Sequence, residues 1–157
     1  MRPRVLVAGV GNIFLSDDGF GVEVVQRLGA RSWPEWVLVK DFGIRGIHLA
    51  YELLEGYETV ILVDASPRGR EPGTVYLIEP ELRRGAPSKD VSTSSLMDAH
   101  GMEPHSVLAL LESLGGQAGR VLVVACEPAK LEDGIGLSPQ VNDAVDRAVD
   151  LVTELID

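Results

Sequence analysis

Apolar residues along the 157-residue chain recur in two rhythms. Short unbroken runs form the first: Val5-Leu6-Val7-Ala8, Trp36-Val37-Leu38-Val39, Thr59-Val60-Ile61-Leu62-Val63 and the stretch from Arg120 to Ala125. Runs this short and this apolar predict strands buried on both faces, at about 4–10, 36–41, 59–64 and 120–125. Steps of three and four residues form the second. Val22, Val24, Val25 and Leu28 predict a helix at about 18–29, ended by Ser32-Trp33-Pro34. A helix over about 46–55 is expected to turn Ile47, Leu49, Ala50, Leu53 and Leu54 inward. Pro104 suits the first turn of a helix carrying Val107, Leu108, Leu110, Leu111 and Leu114, which Gly115-Gly116 stops. Ser138-Pro139 reads as N-cap and first position of a last helix, with Val141, Val145, Ala148, Val149, Val152 and Leu155 inward.

Strands that alternate with helices predict a mainly parallel sheet covered on both faces. One strand breaks the alternation. Thr74 to Ile78 follows the third strand after a turn of Pro67, Arg68, Gly69, Pro72 and Gly73, too short for a crossover helix. It is therefore expected to run antiparallel, at an edge. The expected fold is a three-layer αβα sandwich around a twisted five-stranded sheet, with 1–157 as one domain. Right-handed crossovers and a 2-1-3 strand order place the first and third strands side by side. Residues 80–103 show little periodicity, and a segment of that length is most often functional.

Composition narrows the function. Net charge is -10 without a basic block, which argues against nucleic acid and anionic membranes as partners. The apolar runs are too short to span a bilayer. The single cysteine, Cys126, excludes an internal disulfide, and the chain enters a strand with no signal peptide before it, so a cytoplasmic protein is expected.

Chemistry concentrates in Gly9-Val10-Gly11-Asn12-Ile13-Phe14-Leu15-Ser16-Asp17-Asp18-Gly19-Phe20-Gly21, a glycine-rich turn from strand end to helix start. It is no dinucleotide loop: Phe14 stands where the third glycine is needed, and two carboxylates would repel a pyrophosphate. It is no Walker loop either, because no Gly-Lys-Ser/Thr follows. Acids at a strand's carboxyl end suit a cation, although Asp17 or Asp18 can instead cap the helix. Asp64 ends the third strand and would meet Asp18 across the switch point, unless it serves only as a turn residue. Asp41 ends the second strand at the same edge. His100 lies on the long segment and could fold over the carboxylates. Its neighbour His105 and helical His48 are the other histidines. Two carboxylates and an imidazole can hold a borderline divalent metal. Cys126 has no evident activating base and reads as a buried apolar group.

In that order, the motifs resemble those of the hydrogenase maturation proteases, which trim the C-terminal extension of the [NiFe]-hydrogenase large subunit. The likeness spans nearly the whole chain. It rests on Gly9-x-Gly11-Asn12 with Asp17-Asp18-Gly19-x-Gly21, on Asp41-x-Gly43-x-x-Gly46, and on Val63-Asp64-Ala65. It continues in Met97-Asp98-Ala99-His100-Gly101-Met102 and Gly136-Leu137-Ser138-Pro139. Phe42 and Ile44 depart from the Gly and Thr common in the family's second motif.

The resemblance implies a peptidase whose nickel-recognising set falls on Asp18, Asp64 and His100, with Asp41 as a further functional acid. It also implies that the nickel belongs to the substrate, a large-subunit precursor, with Cd or Zn as stand-ins. A monomer is expected. Asp18 or Asp64 could act as general base beside the metal. Two rival readings use the same residues. One is a nickel chaperone that cuts nothing. The other is a receiver-type domain with Mg and a phosphoacceptor Asp, which would need a crossover helix where this chain has a turn.

Overall fold

A computed structural model describes residues 4–79, 104–116 and 119–156. Its strands are β1 (Val5–Val10), β2 (Val37–Gly43), β3 (Thr59–Ala65), β4 (Val75–Ile78) and β5 (Arg120–Cys126). Its helices are α1 (Phe20–Gly29), α2 (Gly46–Leu53), α3 (Pro104–Ser113) and α4 (Pro139–Ile156). They form one sheet in the order β2-β1-β3-β5-β4, parallel except for β4, which runs antiparallel to β5 at the edge. The three-layer architecture expected from the apolar rhythm is the one observed.

The unbroken apolar runs are explained by the layers. Successive strand residues point to opposite faces, and both faces here are covered. Ile61 and Val63 of β3 pack with Val7, Leu122 and Val124 under α1 and α4. Val60 and Leu62 face the other way, with Leu6, Ala8 and Val123 against α2 and Leu111 of α3. Each fully buried aliphatic side chain contributes roughly 1.5–3 kcal/mol, so a sheet filled from both sides needs few aromatics.

Several expectations are corrected in detail. Ile47 and Leu54 were expected inside, yet both are exposed, as is Leu114. Leu49, Ala50 and Leu53 fill the core side of α2 by themselves. β2 and β3 run one or two residues further than the apolar pattern suggests, so Asp41 and Asp64 lie within strands rather than at their last residue. The helix expected at about 18–29 starts instead with a 3-10 turn, Ser16–Gly19, followed by α1. The α3 stop is as expected: Gly115 has φ 84°, and Gly116 N–H donates to Leu111 O at 3.0 Å.

Candidate active site

The turn after β1 is shaped by glycines because backbones meet there. A Cβ on Gly21 would lie 2.0 Å from Val63 O and 2.5 Å from Val10 O. One on Gly9 would lie 2.5 Å from Gly21 O, and one on Gly11 (φ 138°) only 1.9 Å from Asp18 O. The first turn of α1 thus sits directly on the ends of β1 and β3, at the switch point of the sheet. Gly21→Ala is expected to destabilise the fold by about 2 kcal/mol or more, because two carbonyls must move. Gly29→Ala, with nothing within 4 Å, should be neutral or slightly stabilising. Urea unfolding of the two variants checks the contrast, and equal stabilities would refute the packing argument.

The adjacent acids have separate fates, and neither side chain caps a helix. Asp17 is fully buried. Its Oδ2 accepts from Ala129 N–H (2.8 Å), Lys130 N–H (2.8 Å) and Ser138 Oγ (2.9 Å), and its Oδ1 from Ser138 N–H (2.6 Å). The Ser138 hydroxyl, at the residue before α4, donates to this carboxylate. The carboxylate therefore fastens the β5–α4 loop to the turn after β1. Ser16 N–H to Gly134 O (2.9 Å), Gly134 N–H to Phe14 O (2.9 Å) and Ser16 Oγ to Glu132 O (2.8 Å) extend the seam. These bonds hold Ser16 at φ 53°, a conformation costing a non-glycine residue roughly 1–2 kcal/mol.

Asp18, one residue on, accepts from Asn12 N–H at 2.8 Å through Oδ2. It is buried but lies at the carboxyl end of β1, against Gly11. Asp64 is half-buried at the same end of the adjacent strand β3, where Gly9 pairs with Val63. The two carboxylates expected to share a sheet edge do share it. Asp41 stands opposite Gly9 on the other neighbour, β2. Its Oδ1 accepts from Gly43 N–H at 2.8 Å, and Gly43 O accepts from Gly11 N–H at 2.9 Å. Asp41 therefore braces the turn that carries Asp18.

His100 lies outside the described residues, as does the side chain of His105; His48 is exposed on α2. Among the described residues no three His, Cys, Asp or Glu side chains form a metal-holding group. The described part of the edge thus presents the carboxylates of Asp18 and Asp64.

Two groups near the edge are structural. Glu127, buried, accepts from Arg68 N–H (2.8 Å) and Arg70 N–H (2.9 Å) and ties down the β3–β4 turn. Cys126 is fully buried, as its sequence context suggested. Burial, reinforced by the Asp17 charge, pushes its thiol from 9.0 up to about 12. Tyr57 is pushed from 10.0 to about 12 by burial and by Glu52, which accepts from its hydroxyl at 3.2 Å. Both folded-state values are raised, so both contributions to stability are intact below pH 9 and lost as pH climbs toward 12. Unfolding free energy is expected to fall across that window. Cys126 should resist a thiol reagent at pH 8 in the folded protein and react in denaturant. Fast labelling of the native state would contradict its burial.

No helix among the described residues is long and apolar enough to cross a membrane. The sequence profile of the family HycI, hydrogenase maturation protease, matches residues 22–155. The chain is 32% identical over 156 residues to the hydrogenase expression/formation protein HupD of Bradyrhizobium diazoefficiens, covering 98% of this chain and 78% of that protein. It is 30% identical to a putative hydrogenase maturation protease of Methanocaldococcus jannaschii, covering 96% and 95%. Among solved structures, the hydrogenase maturating endopeptidase HybD of E. coli superposes with TM-score 0.76 at 28% identity, over 98% of this chain and 91% of that one. The hydrogenase 2 maturation peptidase of Thaumarchaeota archaeon SCGC_AB-539-E09 gives TM-score 0.73 at 38% identity, over 98% and 97%. A turn built on paired acids, the five-stranded sheet that presents it and the match over 22–155 agree, and the chain belongs to the hydrogenase maturation proteases, a family of endopeptidases.

Proposed function

We propose that this endopeptidase removes the C-terminal extension of a [NiFe]-hydrogenase large-subunit precursor, and that it does so once nickel has been inserted. The observation that carries the reading is the pair Asp18, in the turn after β1, and Asp64, near the end of β3, both at the carboxyl edge of the sheet. His100, on the Met97–Met102 motif, is assigned as the third ligand. This donor set is hard to borderline, and it holds nickel less tightly than a thiolate cage would. It suits a metal delivered by the substrate and shared briefly.

Asp18, Asp64 and His100 would hold the nickel that arrives with the precursor, and the metal would supply Lewis-acid polarisation of the scissile carbonyl or of a water. The carboxylates do the rest of the work. One accepts the proton of the attacking water as its oxygen bonds to the carbonyl carbon. The same proton then passes to the departing amine as the C–N bond breaks. Asp41 acts through the backbone: it holds Gly43, which holds Gly11, which keeps the Asp18 turn in place.

Incubation with a nickel-loaded precursor tests the reading. Mass spectrometry should show the precursor shortened by one C-terminal peptide. A precursor of unchanged mass, with nickel transferred to this protein, would instead identify a chaperone.

A further inference from the structure

Helix α2 is apolar on two sides. Leu49, Ala50 and Leu53 face the core. On the outside, Ile47 (61% exposed) and Tyr51 (55%) lie four residues apart on the helix, with Ile44 (51%) in the turn before it and Leu54 (39%) at its C-cap. Four exposed large apolar residues within eleven positions of sequence are unlike the scattered exposure usual for a monomer. One residue on from each, Arg45, His48, Glu52 and Glu55 form a polar stripe. With Lys40 and Phe42 of the edge strand β2, that polar stripe lines a groove of about 290 Å³.

The groove has a direction. Its basic end lies beside the candidate site: Arg45 Nη2 donates to Asp41 O (3.1 Å), Arg45 Nε to Phe42 O (3.2 Å), and Lys40 Nζ stands 5.3 Å from the Phe42 ring. Its acidic end, Glu52 and Glu55, lies at the far end of the helix. We infer that the exposed apolar residues and the groove along α2 dock a segment of the protein substrate, apolar along its length, acidic toward the active site and basic away from it. The inference rests on the endopeptidase reading above and adds to it a contact outside the catalytic edge. Charge complementarity sets the polarity of the bound segment, and continuity with Asp41 leads it to the site. A second copy, packed antiparallel, could match the charges too. A helix of eight residues is only about 12 Å long, however, too short by itself to bury the roughly 1,200 Å² of a stable interface. A substrate that also engages the catalytic edge needs no such area from α2.

The test uses purified full-length variants and the cognate precursor carrying nickel and its extension. Ile47→Glu, Tyr51→Ala and Glu55→Lys are compared with Leu77→Glu, an exposed apolar position on β4 at the opposite edge of the sheet. Both processing kinetics and the affinity for immobilised precursor are measured. The three α2 variants should raise KM and Kd about tenfold with kcat unchanged, and Leu77→Glu should behave as wild type. Unchanged KM in the α2 variants, or an equal defect in Leu77→Glu, would overturn the docking surface. So would a wild-type dimer in sedimentation that Ile47→Glu dissolves, because a second copy would then be the occupant. Wild type that binds the precursor through α2 but leaves it uncut would keep the docking surface and remove the endopeptidase reading. Wild type that neither binds nor cuts would remove both.

Discussion

Asp64→Asn is expected to abolish processing of nickel-loaded precursor, with a rate loss of about 100-fold or more, while the protein stays folded. Asn keeps the size and planarity of Asp64, so the packing at the end of β3 should hold. It removes the charge that can bind a cation and the basicity that can accept a proton. Asp18→Asn should do the same from the neighbouring strand, and His100→Ala should lose the nitrogen ligand. Circular dichroism and the melting temperature establish that each variant is folded, and mass spectrometry of the precursor then reads activity. Wild-type rates in all three would mean that the catalytic edge is misassigned.

The largest effect on stability is expected at Asp17. Its buried carboxylate accepts four hydrogen bonds from Ala129, Lys130 and Ser138. Asp17→Ala leaves those donors without their acceptor inside the protein, at a cost of about 3–5 kcal/mol. In a domain of this length that lowers the melting temperature by roughly 10 °C. Asp17→Asn should cost less, because one oxygen remains, but its amide would confront an N–H donor. The seam from Phe14 to Gly134 should loosen in both variants, and Ser16 should relax from its positive φ. A loss below about 1 kcal/mol in Asp17→Ala would show that water replaces the carboxylate and that the seam is not held by it.

The strands were legible because both faces of the sheet are buried, which leaves each strand an uninterrupted apolar run. The antiparallel β4 was legible from the shortness of the turn before it. The outward apolar residues of α2 were not: Ile47 and Leu54 fit a helical period as well as Leu49 and Leu53 do, and periodicity cannot tell which of two sets meets the sheet. The adjacent acids were ambiguous for a related reason. Neighbouring residues in a 3-10 turn diverge by about 120°, so one carboxylate goes inward and one stays at the edge. What decides between them lies more than a hundred residues away, at Ala129, Lys130 and Ser138. A possible clue was the pair Gly134 and Gly136, which marks a tight loop close to Ser138. The place of Asp64 could be read directly, because it stands where an apolar strand gives way to charge.

In the proposed function, nickel held by the precursor licenses the cut. Wild-type protein is incubated, under identical conditions, with the same large-subunit precursor in nickel-loaded and nickel-free form, and loss of the C-terminal peptide is followed by mass spectrometry. The loaded precursor should be trimmed and the nickel-free precursor should remain intact throughout. Trimming of both at the same rate would contradict the claim.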